Sequence, residues 1–384
     1  MTDKLRIVHC FRSPVGGIFR HVRDLADAQI AAGHAVGIVC DSSTGGDFEE
    51  RLFAQMQDRL ALGIHRTPMQ RHVGPGDIAS AWRTYRIIKE LQPDVLHGHG
   101  AKGGAYARLF GSLLRVSRFR VARLYSPHGG SLHYDENTRT GKLFFAIERL
   151  MSRFTDTLLF VSDYERRAYR NKVGEPPVPN SLVYNGLRVA EFEPVACQTD
   201  PADLLYIGMM RDLKGPDIFI DAIMQAQTQL GRSLSAVMVG DGDDLPRYRE
   251  QAKRLELEDR IRFLPPMPAR EAFALASLVV VPSRAEAMPY IVLETLAAGK
   301  PMIATTVGGI PEIFGVGSPA LIEPDAGELA GKICEALRDL PAYRATMPDN
   351  AALKARFGAD VMAADIEKAY FRALRTNKMA VATA

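Results

Sequence analysis

Two carboxylates stand eight positions apart, Glu286 and Glu294, with Pro289 between them, in the stretch SRAEAMPYIVLETLAAGKPMIATTVGGIPE. Proline suits the start of a helix, so Glu286 is expected in a loop and Glu294 in the second helical turn. Both carboxylates can then serve one site, beside the free N–H groups that make a helix start a place for an anion. A cationic pair, Arg211 and Lys214, lies between Gly208 and Gly215. Arginine clamps phosphate oxygens bidentately, and lysine acts on them as a point charge. Gly16 and Gly17 fall between an apolar run and a helical pattern, where bare backbone can come close to a ligand. Three histidines, His97, His99 and His128, end strand-like stretches. His97 and His99 look like a metal pair, but the sequence offers no third ligand beside them, so metal is not expected there.

The elements that must position these residues are legible from their periods. Residues 5–10, 35–40, 95–97, 121–125 and 157–161 read as short buried strands, with helical patterns at 18–32 and 78–91 between them. The second half repeats the theme with strands at 203–208, 235–240, 260–264, 278–282 and 302–305. Apolar strands alternating with helices predict α/β architecture with two Rossmann-like parallel sheets, each holding its ligand beyond its strand ends. The mixed stretch from Asn185 to Ala202 reads as the junction, and residues 357–378 as a final helix.

At 384 residues the chain is too long for one ordinary core, and its 47% apolar and 24% charged content is that of a soluble globular protein. No run reaches the length of a membrane helix, and no secretory signal is seen at the start. Four scattered cysteines (Cys10, Cys40, Cys197, Cys334) lack metal or redox spacing, which suggests a reduced cytoplasmic setting. The net charge of +3 is unevenly placed: residues 1–195 hold 27 Lys and Arg against 20 Asp and Glu, the remainder 21 against 25. Cations gather at 108–123, with Leu113, Leu114, Val116 and Phe119 among them, and again at 139–172. Such a half can attach to anionic lipid or an anionic acceptor, with Arg115, Arg118 and Arg120 as contacts. Aromatic residues do not interleave with the cations as a nucleic-acid groove requires, so no nucleic acid is expected. A dehydrogenase is disfavoured because no Gly-x-Gly-x-x-Gly follows the first strand.

Glu286, seven residues, Glu294, then Gly299-Lys300-Pro301 and Gly308-Gly309-Ile310-Pro311-Glu312: taken together, this pattern resembles the nucleotide-sugar site of retaining glycosyltransferases of family four. The resemblance extends over essentially the whole chain and implies the GT-B fold, two Rossmann-like domains facing across a cleft. It places an acceptor-side domain at 1–195, a nucleotide-sugar domain at 196–360 and a helix returning to the first domain at 361–384. It implies transfer of a hexose from a nucleotide diphosphate sugar to a hydroxyl, with retention, no metal and no other cofactor. Family members carry Gly-Arg at the strand end where this chain has Gly208-Met209, so Arg211 is displaced and Lys214 is the closer match. Both are expected to neutralise the departing phosphate. His128 is expected to orient the transferred sugar, Glu286 to contact its hydroxyls, and Glu294 to bind the donor ribose. Gly16, Gly17, Gly208, Met267, Met288, Pro289 and Tyr290 are the remaining donor contacts the resemblance implies. Many relatives have glycine at Pro289, and proline lacks the N–H donor, which leaves the donor sugar open. Asp241-Gly242-Asp243 formally matches the Asp-x-Asp by which unrelated transferases hold a divalent metal, but the resemblance makes it an ordinary strand-end turn. The acceptor is expected in lipopolysaccharide, exopolysaccharide or glycolipid assembly, with the enzyme cytoplasmic or peripheral on the inner membrane face. Two other classes remain: another GT-B-fold enzyme, such as a nucleotide-sugar epimerase or a phosphorylase, and a catalytically silent nucleotide-sugar binder.

Overall fold

The computed structural model describes residues 4–70, 75–116, 120–315 and 317–382. The chain divides into two compact units, Met1–Gly186 with Ala359–Ala384, and Leu187–Gly358. In the first unit the order is β1 (Arg6–Phe11), α1 (Gly17–Ala31), β2 (Ala35–Asp41), α2 (Asp47–Gln57), β3 (Ile64–Thr67), α3 (Pro75–Leu91), β4 (Val95–His99) and α4 (Gly100–Val116). It continues with β5 (Ala122–Ser126), α5 (Arg139–Ser152), β6 (Thr157–Phe160), α6 (Asp163–Lys172) and β7 (Asn180–Leu182). Among the described residues these strands form one parallel sheet in the order β3-β2-β1-β4-β5-β6-β7.

The second unit contains β8 (Ala202–Ile207), α7 (Pro216–Leu230), β9 (Ala236–Val239), α8 (Leu245–Arg254), β10 (Ile261–Leu264), α9 (Ala269–Ala274), β11 (Ala276–Val281) and α10 (Tyr290–Ala297). After these come β12 (Met302–Thr305), α11 (Ile310–Phe314), β13 (Leu321–Ile322), α12 (Ala326–Arg338), α13 (Leu340–Arg344) and α14 (Asn350–Phe357). Its sheet order is β10-β9-β8-β11-β12-β13, again parallel. Each sheet therefore reverses its strand order once, at β1 and β4 in the first unit and at β8 and β11 in the second. Beyond the carboxyl ends of those strands a doubly wound sheet leaves a crevice for a ligand.

The strands are apolar along their whole length because helices cover both faces. On one face of the first sheet, Ile7, Val95, Leu124 and Leu159 pack with Leu25 of α1 and with Met362, Ile366 and Tyr370 of α15 (Ala359–Ala382). On the other, Val8, Cys10 and Leu96 pack with Tyr85 of α3 and with Phe110 and Leu114 of α4.

Three details differ from the sequence reading. The second unit begins at Leu187, ahead of the expected 196, because Leu187 pairs with Gly358 and the Arg270 guanidinium donates to the carbonyls of Glu191 and Glu193. The final helix, α15, starts at Ala359 rather than at Phe357, which instead ends the separate helix α14 at the extended Gly358. Of the cationic run at 108–123, three members are paired within the fold, while Arg120 is exposed. Arg108 is buried, paired to Glu148 at 2.8 Å and lying over the Tyr125 ring, while Arg115 and Arg123 share Asp156. Leu114 is buried too, and Arg118 and Phe119 lie outside the described residues. Charges that look free in a one-dimensional count are neutralised by acids about forty residues away. Among the described residues, no helix is long and apolar enough to cross a membrane.

Candidate active site

In the second unit, four loops at the carboxyl ends of β8, β9, β11 and β12 lie backbone against backbone. A Cβ on Gly240 would stand 1.9 Å from the Gly208 carbonyl oxygen, and one on Gly242 would stand 2.5 Å from that of Met210. Gly215, with φ of +67°, presses on the Pro282 carbonyl, and Gly308, with φ of +65°, on that of Glu286. Only glycine combines that backbone with that approach. Gly208 supplies the close carbonyl to Gly240, and the atoms nearest to a Cβ added to Gly208 are those of the Tyr206 side chain. Arg284 bolts two of the loops together, its backbone N–H donating to Leu213 and its guanidinium to the Asp212 carbonyl and the Asp217 carboxylate.

These contacts carry Lys214, after β8, to Glu286, after β11. Lys214 Nζ donates to Glu286 Oε1 at 2.6 Å, and Ser283 Oγ donates to the same oxygen at 2.8 Å. Thr305 Oγ1 holds the Ser283 carbonyl from β12. Glu286 is buried, whereas the Lys214 side chain is one quarter exposed. The result is a fixed cation beside a fixed carboxylate at the switch point of the sheet, able to meet a phosphate and a hydroxylated ligand respectively. Arg211 is exposed on the same loop. Met288, Pro289 and Tyr290 are buried at the start of α10, where Pro289 is the capping residue immediately ahead of the helix rather than within its first turn. Glu294 is half-buried in the second turn of that helix, as expected, and Met267 is half-buried after β10. Asp241 and Asp243 are exposed, and Asp241 closes its turn by accepting the Gly242 N–H.

In the first unit, Gly16 caps α1 at φ of +73° with open space around its α-carbon, and Gly17 opens the helix, both exposed. The histidines are the surprise. Strand β4 runs two residues past its expected end, so His97 and His99 share a face, and register with β1 sets His9 opposite His97. His21 from α1 and His128 after β5 complete a contiguous group. The expectation that His97 and His99 have no third nitrogen nearby is thereby corrected. His9, His97 and His99 bring ring nitrogens within 4.8 Å of one another, and so do His21, His99 and His128. Burial lowers the pKa of His9 and His21 to about 4 and drives those of His97, His99 and His128 well below the ordinary value. These rings are neutral at pH 7. His128 stands at φ of +51°, unusual for a residue with a side chain. Glu165 holds that turn by accepting the Gly129 N–H, and burial pushes its carboxyl up to about 7.

His9, His21 and Ser283 were missed from sequence. Strand pairing alone places His9, and the turn after β11 places Ser283. His21, four residues into α1 beyond Gly17, was the one open to periodicity.

Two doubly wound sheets, each with charged or titratable groups at its switch point, define a two-sheet α/β class with a ligand crevice at each sheet. Residues 15–191 match glycosyltransferase family 4 and residues 201–339 match glycosyl transferases group 1. The chain belongs to this family of glycosyltransferases and has the GT-B fold. It is similar to the D-inositol 3-phosphate glycosyltransferase of Kribbella flavida, 28% identical over 312 residues, covering 74% of this chain and 72% of that protein. Among solved structures, Anabaena Alr3699/HepE in complex with UDP-glucose superposes with a TM-score of 0.76 at 18% identity, covering 94% of this chain and 98% of that one. WaaG, a glycosyltransferase involved in lipopolysaccharide biosynthesis, does so with a TM-score of 0.67 at 17% identity, covering 95% and 98%.

Proposed function

We propose that this glycosyltransferase moves a hexose from a nucleotide diphosphate sugar to a hydroxyl acceptor, with retention of anomeric configuration and without a metal ion. The observation that carries the reading is Lys214 held 2.6 Å from Glu286 at the second sheet's switch point. The donor's anomeric C–O bond breaks towards the β-phosphate, and Lys214, helped by the exposed Arg211, neutralises the charge that develops there. The acceptor oxygen bonds to the same face of the anomeric carbon, and its proton passes to the departing phosphate. Glu286 bears on the sugar hydroxyls and on positive charge at the anomeric carbon. Glu294 takes the ribose, and His128 orients the sugar. A nucleotide sugar is favoured because a protein of the same fold binds UDP-glucose.

For the acceptor we favour a lipid-linked one in lipopolysaccharide, exopolysaccharide or glycolipid assembly, met at an anionic membrane face. The surface for this lies within the two cationic stretches of the sequence, but not at Arg115 and Arg123, which pair with Asp156. Helix α5 exposes Leu143, Ile147 and Leu150 in one stripe, next to exposed Arg139, Lys142 and Arg153. Helix α4, tied to α5 by the Arg108–Glu148 pair, exposes Leu109, Leu113 and Val116 at the same spacing. Apolar stripes rimmed by cations suit shallow insertion among anionic headgroups. The test is a panel of nucleotide sugars, following nucleoside diphosphate release with and without membrane lipid extract, and the anomeric configuration of the product by NMR. Inversion at the anomeric carbon, or conversion of the donor without an acceptor, would overturn the reading.

A further inference from the structure

The buried histidines are joined in a chain whose polarity one amide determines. Gln29 Nε2 donates to the Tyr370 hydroxyl at 3.2 Å, which turns the amide oxygen towards His9 Nε2 at 2.8 Å. An amide oxygen only accepts, so His9 carries its proton on Nε2 and, being neutral, has a bare Nδ1. That Nδ1 lies 3.0 Å from His99 Nε2, and His99 Nδ1 lies 3.0 Å from His128 Nε2. Each bare nitrogen requires a donor on the next ring, so His99 and His128 are also Nε2–H tautomers. The Tyr370 proton meanwhile goes to His97 Nδ1 at 2.8 Å, and His97 Nε2–H donates to Ser126 Oγ at 2.9 Å. Every nitrogen in this path but one is then satisfied within the path. The exception is Nδ1 of His128, the one partly exposed ring of the five.

We propose that Gln29 and Tyr370 act as positioning residues: through His9 and His99 they hold His128 as its Nε2–H tautomer, with Nδ1 presented as an acceptor for a hydroxyl of the substrate. The catalytic half of this statement rests on the role given to His128 above; the tautomer chain does not. Were the Gln29 amide turned over, every hydrogen bond in the chain would reverse and His128 would present a donor instead. Tyr370 is the acceptor on which the Gln29 amide rests in the sense seen here, which gives the last helix of the chain a part in the hydrogen bonding that leads to His128. Neighbouring titratable groups do not supply a competing proton. The rings of His21 and His128 meet edge to face at 4.7 Å, and Glu165 is engaged by the backbone of Gly129 and Val161.

The test is nitrogen-15 NMR of histidine-labelled full-length protein at pH 7, which reads each tautomer directly and requires no variant. Nε2–H with a bare Nδ1 at His9, His97, His99 and His128 is expected. An Nδ1–H form or an imidazolium at His128 overturns the proposal. So does stoichiometric zinc in the purified protein with the nitrogens of His9, His97 and His99 shifted by metal. In Gln29→Met and Tyr370→Phe the His128 signals should lose their single tautomer, and kcat should fall roughly ten- to hundredfold while the donor KM stays within about twofold. A His128 tautomer that changes with no change in kcat would overturn the catalytic half. A wild-type enzyme inactive on every donor would instead count against the proposed function, with the NMR result still deciding the chain.

Discussion

Replacing Lys214 with alanine should slow transfer by about two orders of magnitude. A lysine ammonium about 4 Å from a phosphate oxygen, at an effective dielectric near 20, is worth about 4 kcal/mol. Each 1.36 kcal/mol in the barrier is about tenfold in rate, so the ceiling is close to a thousandfold. The Lys214 side chain is 26% exposed, and solvent screening brings the expectation to the lower end of the range of about 2.7–4 kcal/mol typical for losing a preorganised charge stabiliser. Stability should move much less, by about 1 kcal/mol, because Glu286 keeps the Ser283 hydroxyl when the ammonium is removed. Arg211, exposed on the same loop, should cost only about tenfold when truncated. The assay is nucleoside diphosphate release at saturating donor, with thermal melts of both variants alongside. A loss below tenfold at Lys214, or activity abolished by a chelator and restored by manganese, would refute the argument that this lysine does the work of a metal.

Three further outcomes are expected. Glu294→Ala should weaken binding of nucleoside diphosphate alone by more than Glu286→Ala does, as read by calorimetry; the opposite order would mean the two carboxylates have exchanged roles. Leu143→Ser with Ile147→Ser, or Arg139→Glu with Lys142→Glu, should release the protein from vesicles containing anionic lipid, whereas reversing the internally paired Arg123 should act through misfolding instead. Wild-type binding that does not weaken with salt would rule out the electrostatic half of that interface. Stability should fall on acidification: His9 and His21 titrate near 4 when folded and near 6.5 when unfolded, so the unfolded chain takes up more protons between those values. From pH 7.5 to 5 each ring costs about 2 kcal/mol, and Glu165, raised to about 7, has the opposite sign and offsets about one ring. Urea midpoints at the two pH values check this, and a higher midpoint at pH 5 would show that the rings are not buried as neutral species.

Local pattern was a good guide to elements and a poor one to partners. Strand β12 was read to the residue, and Glu294 was read in its helical turn, because apolar period and a proline before a helix are properties of neighbouring residues. Short or interrupted elements escaped: β7 and β13 are three and two residues long, and β3 has a single apolar residue, Ile64, among its four. The 108–123 cations were misjudged for the opposite reason, since their charge was plain but their acids, Glu148 and Asp156, lie on other elements.

By itself the sequence determined the α/β class, the two-sheet plan, and the segments bearing Lys214, Glu286, Glu294 and His128, since each depends on periods and turn residues within a few positions. Tertiary structure alone decided the rest. It brought Lys214 across seventy-two residues to Glu286, put His9 in register with His97, and closed the amide–histidine chain with Tyr370 from the far end of the polypeptide. Strand order and register arise from non-local burial, in which an entire apolar face is satisfied at once, and no local window of the chain contains that information.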